Sequence, residues 1–595
     1  MNPFRDAIVA SPWESTQVDV VAIHRQAFDE CLRGIDLVRK NQRSAALLIH
    51  GEAGSGKTHL LSRLRARLAP QAPSATDRQE SLYVWVRLQT SPRMIWRTLR
   101  RTLVDDWFRP VVNGRSQFER ILFHRLAEIR TAEGDLELWY DYMLDEQQAG
   151  LAELMEQIAA SLDLDRNTAV AFNHIAFRRH LRDLRAWLAG TSLPQAALER
   201  LDLTQDAGDD VEREDESRQI VLMLCRLAGN GLPVVLSFDQ VEALPTVPGD
   251  REALFVFGQL VSTLHDGTTN VLVVSCVQSA FQTELKSYVR EADYHRMTSL
   301  GSLSLDPLNR SEAEQLIAAR RDRAGGAAPS DASRPACWPL EAGELDELLA
   351  LGSVSPRKLL TLCAERFEIR ARRDADDEAG PADRRAPPTA VEAVPDFLQD
   401  AWTAGIEQKR KANSPDRTED IVRHALPMLV ELVEPAAKLV RDEPLKDVPL
   451  VFEQAGRRLG LATCTQANMT SRAALLKRLK QQLALGRLAR LVVVCDDRVP
   501  FTESARAARQ YLVELEEQQA VAVFPSVEVL ATLDALREII SDAKSGDLTC
   551  HGEAVSPVTV REWLKEHLPG VLLDFVDEVL GTQMTEPAAR LPVQQ

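Results

Sequence analysis

The chain has 595 residues, 45% hydrophobic and 27% charged, with a formal net charge of −17 at pH 7. Such proportions allow packed cores, about three to four domains at this length, and exclude a surface coated in basic groups, so any nucleic-acid contact needs a local groove of Lys and Arg. No apolar stretch approaches the ~20 residues of a bilayer-spanning helix, the start lacks the layout of a secretion signal, and the cysteines are scattered without a Cys-x-x-Cys pair, so a cytoplasmic protein with no membrane contact is expected.

In chain order, Pro12 to Lys40 reads as one helical segment, with Ile23, Phe28, Cys31, Leu32 and Ile35 at helical spacing. The apolar run Ala45–His50 predicts a strand. Gly51-Glu-Ala-Gly54-Ser55-Gly56-Lys57-Thr58 follows it, and His59 leads into the helical run Leu60–Leu68. Strand, glycine loop and helix at this spacing predict a phosphate-binding loop for a nucleoside triphosphate with Mg²⁺. Glycines let successive backbone N–H groups turn inward around phosphate oxygens, and the helix N-terminus points its own N–H groups at the same anion. Gly51, Gly54, Ser55, Gly56, Lys57, Thr58 and His59 are the expected nucleotide contacts. Lys57 would reach the outer phosphates, and the Thr58 hydroxyl would hold the metal.

Leu82–Leu88 predicts a second strand, and Ser91-Pro-Arg opens a helix through Leu103. Gln117–Leu203 is helical almost throughout, and the acidic stretches Asp206–Glu216 and Asp374–Asp383 read as solvated loops. A helix at Ser217–Ala228 precedes Gly231–Gln240, a buried strand ending in Asp239, the position for a magnesium partner. Gln240 follows where many hydrolysing relatives carry Glu; it orients water but takes no proton. Glu242 substitutes as the base if the strand end curls. Slow or partner-dependent hydrolysis is therefore expected. The strand Asn270–Val277 ends at Gln278, which with Ser275 is a candidate sensor of the terminal phosphate. Asn309 or Ser311 caps a later helix.

With these motifs in place, the chain resembles the AAA+ superfamily, in the branch shared by origin-recognition initiators and STAND ATPases, over about Asn2 to Arg370. The resemblance implies an adenine nucleotide between a P-loop α/β core (1–300, with a large helical insertion at about 104–216) and a helical or winged-helix lid (301–370). It places Arg357, in Gly352–Leu360, on the terminal phosphate, and makes Arg296 a finger completing a neighbouring subunit's site, with Arg290 in reserve. Self-association through ATP sites then follows. Leu184–Gly190, together with Phe238-Asp-Gln-Val-Glu242, is similar to bacterial ATPases found with phage-defence systems of the BREX type.

Residues 371–395 read as a flexible charged linker. Beyond them, helices at Asp396–Gln408 and Glu419–Val440 precede strands at Val448–Phe452, Gly460–Cys464, Leu491–Cys495 and Ala520–Phe524, alternating with helices at Met469–Leu485, Thr502–Glu517 and Ser526–Ala543. This predicts a second, small α/β domain (396–595), closed by apolar helix at Thr559–Leu580 and a frayed end. Its outline is similar to the restriction-endonuclease-like fold in a degenerate form, because only Glu453, Asp496 and Asp497 stand at strand ends and no acidic-x-Lys pair is present. Arg472, Lys477, Arg478, Lys480, Arg487 and Arg490 form the candidate DNA-contacting cluster. The leading expectation is a nucleotide-switched regulator or motor subunit of a DNA-directed multiprotein system. A nucleotide-gated scaffold with little hydrolysis and an effector with a C-terminal nuclease are the alternatives.

Overall fold

The computed structural model describes residues 2–4, 11–13, 18–69, 81–111, 115–130, 134–205, 208–245, 251–323, 335–350, 352, 354–378, 390–440, 445–502, 505–550 and 553–581. The polar stretch Pro70–Glu80 and the chain end expected to fray lie outside these residues.

Five parallel strands form the first sheet: β1 (Ala45–Gly51), β2 (Leu82–Arg87), β3 (Val234–Asp239), β4 (Val271–Gln278) and β5 (Ser302–Ser304), in the order β2-β3-β4-β1-β5. Around it run α1 (Arg25–Asn41), α2 (Lys57–Leu68) and α3 (Ile95–Trp107), then α4 (Gln117–Ile129), α5 (Leu136–Glu146), α6 (Gln148–Ser161), α7 (Arg166–Ala176), α8 (Leu181–Leu188) and α9 (Gln195–Leu201). They are followed by α10 (Asp210–Ala228), α11 (Arg251–Gly267), α12 (Ser279–Tyr288) and α13 (Glu291–Met297). Side chains alternate along each strand, so Leu47, Ile49 and Val274 pack beneath α1 and α2, while Leu48, Val84 and Val273 pack beneath α3, α10 and α11. Both faces are buried, which is why β3 and β4 are near-continuous apolar runs. Tyr140, Leu151, Phe172 and Trp187 of the insertion belong to the second of these cores.

Because the strands are parallel, β1, β3 and β4 all end on one edge: Gly51 pairs in register with Gln278, and Arg87 with Asp239. Residues 310–378 add α14 (Arg310–Arg323), α15 (Ala342–Ala350) and α16 (Pro356–Glu378), packed through Ile317, Leu345, Leu359 and Cys363. This unit is helical among its described residues. Asn309 rather than Ser311 caps α14, accepting from Glu312 N while the Glu312 carboxylate accepts from Asn309 N, both at 3.0 Å.

The second half contains α17 (Ala390–Ala412), α18 (Thr418–Val433), β6 (Lys438–Leu439), β7 (Leu450–Gln454), β8 (Arg457–Cys464), α19 (Met469–Ala484), β9 (Arg490–Cys495), α20 (Arg506–Glu516), β10 (Ala520–Val523) and α21 (Val527–Lys544). A short β11 (Thr549–Cys550) and β12 (Glu553–Ala554) hairpin, α22 (Pro557–His567) and α23 (Gly570–Leu580) close it. Its sheet runs β10-β9-β8-β7-β6, antiparallel from β6 to β8 and parallel from β8 to β10. α21 is buried along most of its length against α17, α18, α22 and α23, which fixes the direction of its C-terminal end.

Four expectations are corrected. The helix expected from Pro12 starts only at Arg25, because His24 sits in the left-handed region at φ 52°. The linker is helical over 371–378 and from 390, its Ala, Arg and Glu residues being good helix formers; residues between lie outside the described set. The helix expected through Val440 stops at Val433, and 438–439 join the sheet. The acidic stretch before Ser217 is not a solvated loop. From Asp210 it is the first part of α10, capped by Asp209, and Asp210, Glu214 and Glu216 are paired with arginines.

Candidate functional site

The glycine loop crosses the carboxyl edge of the sheet between β1 and α2. Gly54 lies at φ +74°, and a Cβ there would come within 2.7 Å of the Arg357 Cβ. Only glycine therefore allows the helical unit to close on the loop, which it does through Arg357 N donating to Gly54 O at 3.3 Å. Lys57 Nζ donates to Gly51 O at 2.8 Å and Glu52 O at 3.1 Å, holding its ammonium over the loop. The Ser55 hydroxyl is buried without a partner. His24 Nε2 lies 2.6 Å from Ser55 O. His59 turns instead to Asp19, at 3.3 Å.

Thr58 Oγ1 donates to Asp239 Oδ2 at 2.8 Å, joining the start of α2 to the end of β3 across 181 residues of sequence. Asp239 is 2% exposed. Burial raises its pKa, against the opposing pull of the Thr58 hydrogen bond, Lys57 and Arg87. Trp85 Nε1 also points at Asp239 Oδ2, at 3.4 Å.

After Asp239 the chain does curl. Gln240 adopts φ 56°, and Val241–Ala243 forms a single 3₁₀ turn. The turn brings Glu242 inside, where both carboxylate oxygens are buried with no hydrogen-bond partner. Burial pushes its carboxyl up to about 7, against the pull of Lys57. This buried carboxyl, poised near neutrality, lines the same cavity as Lys57, Thr58 and Asp239.

Gln240, Gln278 and Arg357 are occupied by one turn of the second half. Gln240 Nε2 donates to Asp547 Oδ2 at 2.5 Å, Gln278 Nε2 to Lys544 O at 2.9 Å, and Arg357 to Gly546 O at 2.7 Å and Asp547 Oδ1 at 2.6 Å. Arg87 backs them, donating to Gln240 Oε1 at 2.8 Å and Asp542 Oδ1 at 2.6 Å. Ser275, the other candidate sensor, is fully buried with its hydroxyl unpartnered.

Arg296 is not brought to this chain's own site. It pairs with Asp266 at 2.7 Å near the opposite, amino edge of the sheet, where Leu300 N donates to Ala46 O. Arg290 pairs with Asp293 at 2.7 Å over the Phe255 ring. The candidate DNA cluster is largely consumed by internal pairing. Arg472 is buried under Phe501, Arg478 pairs with Asp447, and Lys480 with Glu514. Arg490 donates to Glu578 O, and only Lys477 and Arg487 of the six stand exposed.

At the strand ends of the second sheet, Asp496 is buried and accepts from Thr418 at 2.5 Å and Arg498 at 2.7 Å, while Glu453 lies 3.5 Å from Arg458. Among the described residues no group of three His, Cys, Asp or Glu side chains gathers to hold a metal.

Sequence reasoning missed two parts of the site. Val18, Val20 and Ile23 line it from the N-terminal segment, opposite Leu316 and Leu360 of the helical unit. The turn Lys544–Asp547 closes it from the other half of the chain, and in sequence Lys-Ser-Gly-Asp reads only as a helix stop. No protein-family model matches the chain, and no curated protein matches it.

Proposed function

We propose that this chain is an ATP-binding switch of the AAA+ P-loop type, hydrolysing slowly with Glu242 as the base. The hydrogen bond from Thr58 to Asp239 carries the reading: it joins the loop's hydroxyl to the strand-end carboxylate at 2.8 Å on the sheet edge where the positive end of α2 begins. The residues fit a Mg·triphosphate. Thr58 and Asp239 would hold the metal, which would offset the charge of the phosphates. Lys57 and Arg357 would neutralise the outer phosphates, the loop at Gly54, Gly56 and Thr58 would face the inner ones, and the apolar Val18, Val20, Ile23, Leu316 and Leu360 would cover the base. Glu242 would take the proton of an attacking water, which Gln240 cannot do. Turnover by the wild type and its loss in Lys57→Ala, measured with and without DNA, test the assignment.

A scaffold reading, with gating and little hydrolysis, is favoured by one observation: Gln240, Gln278 and Arg357 are all held by the C-terminal turn. The two readings separate on whether Glu242→Gln changes the rate. Oligomers completed by Arg296, and a place in a DNA-directed or phage-defence assembly, extend the proposal through the resemblance. With most of the basic cluster turned inward, the second half is proposed as a reporter of nucleotide state and a partner-binding domain, and DNA contact would have to fall on other surfaces.

A further inference from the structure

The turn at the end of α21 is an anion delivered to an anion site. Asp547 is gripped by Arg357 and Gln240 and accepts from Ser545 Oγ at 2.9 Å. It lines one cavity with Lys57, Thr58, Asp239 and Glu242. Gly546 lies at φ +67° directly on the loop, and a Cβ there would collide with the Ala53 methyl. The cavity left among these groups is about 80 Å³, below the ~300–1,000 Å³ of small-molecule sites, so the apolar lining from Val18, Val20, Ile23, Leu316 and Leu360 must open for a nucleotide of either kind. Other contacts hold the second half to the first: Arg423 pairs with Asp210 at 2.8 Å, Arg97 Nη1 donates to Glu419 Oε1 at 3.1 Å, and Arg537 Nη1 donates to Gln89 O at 2.8 Å. A local withdrawal of the turn therefore does not require the domain to leave.

We propose that Asp547 is a specificity-determining residue that occupies the terminal-phosphate position, so that a nucleoside triphosphate must displace it whereas a diphosphate binds beneath it. This rests on the loop being a nucleotide site. The carboxylate presents two oxygens to Arg357 and Gln240 as a terminal phosphate would, and both anions cannot share one guanidinium without like-charge repulsion. Triphosphate binding then frees residues 544–548 from the loop and is read out by the C-terminal domain; diphosphate leaves the contact in place.

The experiment is calorimetry of the full chain and its Asp547→Asn variant with Mg·ADP and with Mg and a slowly hydrolysed ATP analogue, beside amide exchange on the wild type. Neutralising the carboxylate should tighten the triphosphate analogue roughly ten- to a hundredfold and leave ADP within about twofold. In the wild type the analogue, and not ADP, should speed exchange of the Asp547 and Leu548 amides, which donate to Asp542 O at 2.7 and 3.1 Å. Equal effects on both nucleotides, an unchanged or weakened triphosphate, or unchanged exchange would overturn the proposal while leaving the nucleotide site standing. Binding of neither nucleotide by either protein would overturn the site and the proposal together. Exchange on the wild type decides the matter even if the variant folds poorly.

Discussion

Arg357 Nη2 donates to Asp547 Oδ1 at 2.6 Å, tying the helical unit that closes on the glycine loop to a domain nearly two hundred residues further along the chain. Both side chains are largely buried. Burial acts to raise the Asp547 pKa, but the Arg357 guanidinium and the hydrogen bonds around it hold the carboxyl below the usual range. In a double-mutant cycle on unfolding free energy, Arg357→Ala and Asp547→Ala should be coupled by about 1–3 kcal/mol. Additive effects would show that the contact contributes nothing.

Glu242 should combine a catalytic gain with a structural cost. Glu242→Gln is expected to lower turnover by roughly 10²- to 10⁴-fold, and wild-type turnover should rise as pH passes through about 7. The stability sign follows from the raised value. The folded state holds its proton from the ordinary 4.5 up to about 7, so stability falls as pH rises through that window. Glu242→Gln mimics the protonated form. It should therefore raise the melting temperature at pH 8 and have no such effect at pH 4, and differential scanning calorimetry at the two pH values checks both.

The junction between α10 and α18 is a buried charge cluster. Arg97, Arg213 and Arg423 converge on Asp210 and Glu419 at 2.5–3.8 Å. Burial works to raise the Glu419 pKa, but Arg213, Arg423 and Arg97 together bring it down to about 2. Removing one partner leaves uncompensated charge, so Arg423→Ala should destabilise the chain by about 3–5 kcal/mol in denaturant titrations at pH 7. Glu419 contributes fully above its ordinary 4.5, and that contribution is lost as pH falls toward 2. The penalty of Arg423→Ala should shrink over the same range.

For the second domain, plasmid incubated with magnesium and the full chain should remain uncut. Asp496→Ala should instead lower the melting temperature, because it strands Arg498 and Thr418, which both donate to that carboxylate. Cutting that disappears in Asp496→Ala would reinstate a nuclease.

The glycine-loop half of the site was legible because its parts are local. A strand, a glycine loop and a helix follow one another from Ala45 to Leu68, and an apolar run ends at Asp239, so spacing alone brings Thr58 and Asp239 into the same expectation. The strands and helices of the second domain were legible through alternation for the same reason. What escaped was long-range. Nothing between Ser526 and Asp547 signals that α21 will aim its last turn at Ala53, since that direction is set by packing among α17, α18, α22 and α23. The acidic run at Asp210 looked solvated because its partners, Arg97 and Arg423, lie more than a hundred residues away in sequence on either side. The basic cluster misled in the mirror sense: charge on a helix says nothing about which carboxylates the fold will bring to it.

The most direct test is calorimetric titration of Mg and a slowly hydrolysed ATP analogue into the wild type, Asp547→Asn and Lys57→Ala proteins. One binding event per chain in the first two, abolished in the third, is the predicted result. Absence of heat from both the wild type and Asp547→Asn, with the proteins folded, or binding that survives Lys57→Ala undiminished, would contradict the account.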